Sequence, residues 1–188
     1  MWSSEIGTIC NRLRRLAPVM ALSALLGGCF QPMYGQFSPT GGPGVREAMS
    51  GIRVTTIEAP KGTTEERLAV ELRNDLLFGF TGGAGSNTPT HELTVRLTSQ
   101  NAKVIVDVFS ARPEVENFGL DASYRLVEIA TGRTVATGTT FARVSYDTPG
   151  QVQRFARQRG LRDAESRATK EIAENIKLRL ASYFVAGT

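Results

Sequence analysis

Residues 92–98 read Glu-Leu-Thr-Val-Arg-Leu-Thr. In an extended chain Leu93, Val95 and Leu97 fall on one side and Glu92, Thr94, Arg96 and Thr98 on the other. That is the pattern of a strand with one dry face and one wet face. Val104 to Phe109 continues the strand after a kink or bulge near Asn101, and Ala111-Arg112-Pro113 suits a turn. Phe118, Leu120, Ala122, Tyr124 and Leu126 alternate again. Thr131-Gly132 is a tight-turn signal, and Thr134 to Tyr146 is a third, partly alternating run. Together these segments predict an antiparallel meander, dry on one side and wetter on the other.

Upstream, Ile52 to Glu58 is short and β-branched, hence a strand, and Pro60 ends it. Thr63 and Glu66 have the spacing of a capping box, in which each side chain satisfies a free backbone N–H at a helix start. Leu68, Leu72 and Leu76 then form one apolar stripe, and Gly79 offers a C-cap, so a helix is expected over about 64–78. Thr81 to Pro89 is glycine-rich and polar, hence a loop. Past Pro149-Gly150 the apolar residues step by three or four: Leu161, Ala164, Ala168, Ile172, Ile176, Leu180 and Tyr183. Arg162, Glu165, Glu171, Glu174 and Lys177 take the solvent side of that helix. Residues 152–159 are either a preceding turn or an extension of it. The class is α+β: a four-stranded sheet with two helices packed on one face, in the order β-α-β-β-β-α, the simplest way to bury both stripes.

The start of the chain belongs to targeting. Asn11-Arg12-Leu13-Arg14-Arg15 is basic, Leu16 to Leu26 is an apolar run of eleven residues, and Leu26-Gly27-Gly28-Cys29 follows. The layout is a secretory signal peptide, too short in its apolar part to span a bilayer, which takes roughly 20 residues. The small residues before Cys29 have the register of a lipobox, with the Cys29 thiol as the group that takes a diacylglycerol. Residues 1–28 are then a signal peptide, 29–50 an acylated, Gly/Pro-rich flexible tether, and 51–188 the folded domain. Cleavage removes Arg12, Arg14, Arg15 and Glu5, so the net charge of +4 is partly a targeting feature. It also removes Cys10, and acylation consumes Cys29, leaving no thiols for a disulfide although the compartment is oxidising.

Little in the chain suits catalysis. The single histidine, His91, starts a strand and has no Cys partner for a metal cluster or a Cys–His pair. Gly82-Gly83-Ala84-Gly85 follows a helix, whereas a phosphate loop precedes one. Asp107, Glu114 and Glu116 read as solvated charge around a turn. No enzyme activity, metal or cofactor is expected. The arginines stand out instead: Arg96, Arg125, Arg133 and Arg143 lie in the meander, with Lys103 and Arg112 in its turn region. Alternation puts Arg96 and Arg125 on the wetter face, where guanidiniums can hold phosphates bidentately. An exported chain makes nucleic acid a poor partner.

Cys29-Phe30-Gln31-Pro32-Met33-Tyr34-Gly35 resembles the mature N-terminus of LptE, the lipopolysaccharide-assembly lipoprotein family. One departure is Phe30, where family members often have Gly. The strand and helix order, the Thr-Gly turn at 131–132 and the long C-terminal helix resemble the family too. The resemblance implies an outer-membrane lipoprotein on the periplasmic side, anchored by its acyl chains. It implies LptD, an outer-membrane β-barrel, as the partner that the domain plugs and helps to assemble, and lipopolysaccharide as a ligand bound without covalent chemistry. Candidate contacts for that ligand are Arg96 and Arg125, then Lys103 and Arg112. The residue after Cys29 is not the Asp that would resemble an inner-membrane retention signal. The same lipobox, tether and lack of an active site also fit a non-catalytic adaptor of another envelope machine, such as a peptidoglycan-synthase activator.

Acylation should depend on Cys29 alone. Cys29→Ser should abolish fatty-acid labelling and detergent partitioning while Cys10→Ser leaves both intact; equal labelling of the Cys29→Ser precursor would sink the lipobox assignment.

Overall fold

The computed structural model describes residues 44–83, 88–106, 113–148 and 154–186. Cys29, the signal peptide, the tether up to Pro43, and Asp107 to Arg112 lie outside the described residues. The elements run α1 (Val45–Ser50), β1 (Ile52–Val54), α2 (Thr64–Thr81), β2 (His91–Val106), β3 (Pro113–Glu128), β4 (Thr134–Asp147) and α3 (Arg154–Ala186). The fold is α+β, as the alternation and the two stripes imply. The order differs from the expected one by the extra helix at the front.

The four strands form one sheet in the order β1-β2-β3-β4. β2, β3 and β4 are the antiparallel meander, while β1 joins β2 in parallel, Ile52 opposite His91. A parallel pair needs a crossover, and α2 supplies it. β2 runs straight through Asn101, which pairs with Phe118; the irregularity lies further on, between Lys103 and Val106. The alternation fades at Ser99, where an inward position opposite the buried Leu120 is filled by a hydroxyl. Ser99 faces the first turn of α2 and donates a hydrogen bond of 2.6 Å to Glu65 Oε1. That bond is the main reason the Glu65 carboxyl is held below its usual range.

Both long helices lie on one face of the sheet. From the strands Leu93, Val95, Leu97, Phe118, Leu120 and Leu126 are buried, and Leu68, Leu72 and Leu76 of α2 and Ile172, Ile176 and Leu180 of α3 close over them. α2 outlasts the expected Gly79 stop. It ends at Gly82, whose φ of 70° is left-handed and whose N–H reaches Phe78 O at 2.9 Å. Neither bond of the expected capping box is made at its start. Glu66 accepts the N–H of Gly62, one residue ahead of the N-cap, at 2.7 Å, and the Thr63 hydroxyl donates to Pro60 O instead of capping the helix.

α3 is 33 residues long and takes in residues 154–159 as helix. At 1.5 Å per residue it is about 50 Å in length. Its charges are not all solvated as expected. Glu165 is buried, 4% exposed, and forms an ion pair with Arg67 of α2. Ser166 adds a 2.5 Å hydrogen bond to Glu71. Glu116 likewise is buried rather than solvated: it accepts from the Tyr146 hydroxyl at 2.6 Å and from Arg157 at 2.8 Å. Burial, then the bond to Glu116, pushes the Tyr146 hydroxyl up to about 12. Through Arg157 the first turn of α3 is tied to Glu116 of β3, which in turn holds Tyr146 of β4.

The helix α1 occupies the end of the stretch expected to be tether. Val45 and Met49, one turn apart, are 6% and 2% exposed and belong to the core. The packed domain therefore begins at least as early as Gly44, not near Gly51. Gly51 joins α1 to β1 in a space too tight for any side chain, since a Cβ would sit 2.5 Å from Thr90 Oγ1.

Two stability outcomes follow from this burial. Ile172→Ala and Ile176→Ala should each cost about 2–5 kcal/mol in denaturant melts, and near-wild-type stability in both would contradict their full burial. A form beginning at Ser50 should unfold at lower denaturant than one beginning at Gly44, because it leaves the Val45 and Met49 sites empty; equal midpoints would show that α1 contributes nothing.

Candidate functional site

Among the described residues, no element packs on the other face of the sheet. The alternation that sends Leu93, Val95 and Leu97 inward sends Thr94, Arg96 and Thr98 outward, and β3 and β4 add their own rows in register. Thr94, Arg125 and Thr137 make one cross-strand row; Arg96, Ser123 and Thr139 the next; Thr98, Asp121 and Phe141 the third. Gln100, Gly119 and Arg143 make a fourth. The surface is thus a platform of hydroxyls with arginines on a diagonal and one aromatic ring, Phe141, which is 65% exposed. A shallow depression of about 330 Å³ lies in it, lined by Arg96, Thr98, Asp121, Ser123, Thr139 and Phe141 among others.

The arginines are not equivalent. Arg96 points outward as expected, but its Nε and Nη2 lie 2.8 and 2.5 Å from one oxygen of Glu58. Glu58 is fixed there because the chain beyond β1 still runs beside β2, with its N–H on Val95 O and its carbonyl taking the Leu97 N–H. Arg143 is held by Asp121 at 2.8 and 3.1 Å and lies over the Phe141 ring, 5.3 Å from its centroid. Arg125 is exposed, and among the described residues no carboxylate pairs with it. Among the described residues, two cations of the platform are therefore compensated and Arg125 is not.

Of the four basic candidates, the structure brings Arg96 and Arg125 together as diagonal neighbours across β2 and β3. Lys103 lies in β2 opposite Glu116, with its side chain outside what is described, and Arg112 lies outside the described residues altogether. Phe141, Asp121 and Glu58 belong to the site without having been singled out beforehand. Phe141 could have been found from its phase, since it lies two residues from Thr139 and Arg143 and out of step with Ala142 and Val144. Glu58 carried no local signal, because its partner is 38 residues away.

Elsewhere, His91 is half-buried with its ring edge-on to Phe184 at 5.2 Å, and burial lowers its proton affinity. No group of three or more His, Cys, Asp or Glu residues suited to a metal occurs among the described residues. A groove of about 530 Å³ between α2 and α3 is lined by Asp75, Phe78, Phe80, Lys170 and Lys177 among others. Burial, with Glu71 and Glu174 nearby, raises the Asp75 carboxyl against the pull of Lys170. Carboxylates and ammoniums alternate around that groove, so it offers no net charge to select a ligand.

No family model matches the chain, and no curated protein matches it. Solved structures do. A Caulobacter crescentus CB15 protein assigned as a lipoprotein superposes with a TM-score of 0.58 at 19% identity, covering 77% of this chain and 97% of its own. An uncharacterised lipoprotein B from Nitrosomonas europaea gives a TM-score of 0.53 at 14% identity, over 73% of this chain and 90% of its own. Rare lipoprotein B from Shewanella oneidensis gives 0.52 at 11% identity, over 72% and 96%. At these identities the likeness is one of fold: the α+β domain has the architecture of these solved bacterial lipoproteins.

Proposed function

We propose that the chain is a lipoprotein of the LptE type, acylated at Cys29, anchored in the outer membrane on its periplasmic side, and partnered with the LptD β-barrel. In this reading the domain plugs the barrel, assists its assembly, and receives lipopolysaccharide on the open sheet face. Three things support it: the lipobox register with Phe30 after Cys29, the N-terminal Cys-Phe-Gln-Pro-Met-Tyr-Gly run, and a fold that known bacterial lipoproteins share.

The observation that carries the ligand half of the proposal is Arg125, which no described carboxylate pairs, on a hydroxyl-rich platform that carries the exposed Phe141 two cross-strand rows away. A phosphorylated saccharide matches each part of that surface. Its phosphate accepts from the guanidinium, its hydroxyls exchange with Ser123, Thr137 and Thr139, and the apolar side of a sugar ring stacks on Phe141. Arg96 ranks below Arg125, because an incoming phosphate must first displace Glu58. The roles are binding and positioning, with no bond made or broken.

Arg125→Ala should weaken binding of lipopolysaccharide about 2- to 5-fold at low ionic strength and flatten its salt dependence, since an exposed charge contact is modest and screened. Arg96→Ala should do less. Titration at two salt concentrations reads both, and an Arg125 variant with unchanged affinity at low salt would remove the platform from the reading. The partner is tested separately by isolating the full chain from outer membranes: recovery of LptD is expected, and recovery of a cell-wall synthase in its place would favour the adaptor function.

A further inference from the structure

The sheet has two edges, and they are protected unequally. β1 is three residues long, and the stretch from Thr55 to Glu58 continues to cover β2 beyond it. β4 is 14 residues long and closes the other side of the sheet. Its sequence, Thr134-Val-Ala-Thr-Gly-Thr-Thr-Phe-Ala-Arg-Val-Ser-Tyr-Asp147, is rich in β-branched and aromatic residues, holds no Pro or Lys, and carries charge only at Arg143 and Asp147. An edge of that composition lacks the usual devices that discourage a foreign strand.

The protection comes from α3. Arg179 Nη1 donates to Thr139 O at 2.8 Å, and Arg167 Nη2 reaches Ser145 O at 3.4 Å while its Nε is held by Asp163 at 2.8 Å. In an antiparallel ladder alternate residues turn their N–H and C=O to opposite sides, so Thr139, Phe141, Arg143 and Ser145 all present their backbone groups on the same side. The pairing is geometrically matched. Twelve residues of helix separate the two arginines, about 18 Å, and six residues of strand separate the two carbonyls, about 20 Å. The helix runs antiparallel to the strand and covers the edge at both ends of its central segment, leaving only the backbone of Phe141 and Arg143 between.

We propose that Arg167 and Arg179 are guards of the β4 edge, and that the edge they cover is a self-complementary strand-pairing surface for a second copy of this chain. The self-complementarity is readable in the register. An antiparallel pairing about a two-fold axis at Ala142 sets Phe141 opposite Arg143 of the second copy, Thr139 opposite Ser145, and Thr137 opposite Asp147. The first of these repeats between chains the ring–guanidinium contact that Arg143 and Phe141 already make within one chain. Cross-strand aromatic–cation and hydroxyl pairs of this kind stabilise antiparallel ladders. The same pairing uses Thr139 O and Ser145 O, the two carbonyls that the arginines occupy, so guarding and pairing compete for the same side of the strand. This property is independent of the proposed barrel partner and lipopolysaccharide.

The test uses the full chain, purified from membranes and sedimented in density-matched detergent. The wild type should be a monomer, and Arg167→Met with Arg179→Met should form a dimer with a dissociation constant at least roughly tenfold lower. Adding Phe141→Pro should restore the monomer, because its N–H lies outside the ladder with β3 and proline is tolerated on a free edge. A wild type already dimeric, a folded double variant that stays monomeric, or a dimer that survives Phe141→Pro would each overturn the proposal. If circular dichroism shows the double variant unfolded, Arg179→Met and Arg167→Met alone are read the same way. Unfolding of both single variants would assign the arginines to stability and reject the guard.

Discussion

The domain depends on covering one face of a twisted three-strand meander with a helix long enough to reach across it. Ile172, Ile176 and Leu180 are fully buried between the sheet and α2, and no other element among the described residues is placed to fill that volume. Once α3 lies there, α2 has a second wall to pack against, and the crossover from β1 to β2 has only one side on which to run. The seam between the helices also holds charge. Glu165 would be unstable under α2 without Arg67, since a buried carboxylate left unpaired costs several kcal/mol, roughly 3–5 when one partner is removed. The pair therefore does more to fix the helices' register than to add net stability.

The alternation that made the sheet legible also sorted the open face from the closed one, and it did so correctly for Arg96 and Arg125. It could say nothing about compensation. Whether a surface guanidinium is available depends on which carboxylate the fold brings beside it, and Glu58 arrives from a separate segment. Burial of Glu116 and Glu165 was hidden for the same reason: polarity placed each on a solvent side, while Tyr146, Arg157 and Arg67, distant in sequence, make burial tolerable. Periodicity registers a residue's own character and its near neighbours, and these partners are neither.

The boundary of the domain was misread through composition. Gly and Pro dominate the stretch ahead of Val45, and six helical residues are too few to show a period clearly. α1 has almost no intrinsic stability at that length, and it exists because Val45 and Met49 find a site on the core. A short element whose existence is tertiary leaves little trace in local pattern.

α1 has a mechanical consequence. Because it precedes β1 in the chain and packs on the core, tension applied from the N-terminal side at Gly44 reaches Val45 and Met49 before it reaches β1. Extracting one turn and a half of helix lengthens the chain and dissipates work while the sheet beyond Gly51 keeps its hydrogen bonds, including those from Thr90 and His91 to Gly51 O. The small helix is a sacrificial link: a pull strong enough to strip it leaves the platform and the helical layer intact, and it can re-seat when the load is released.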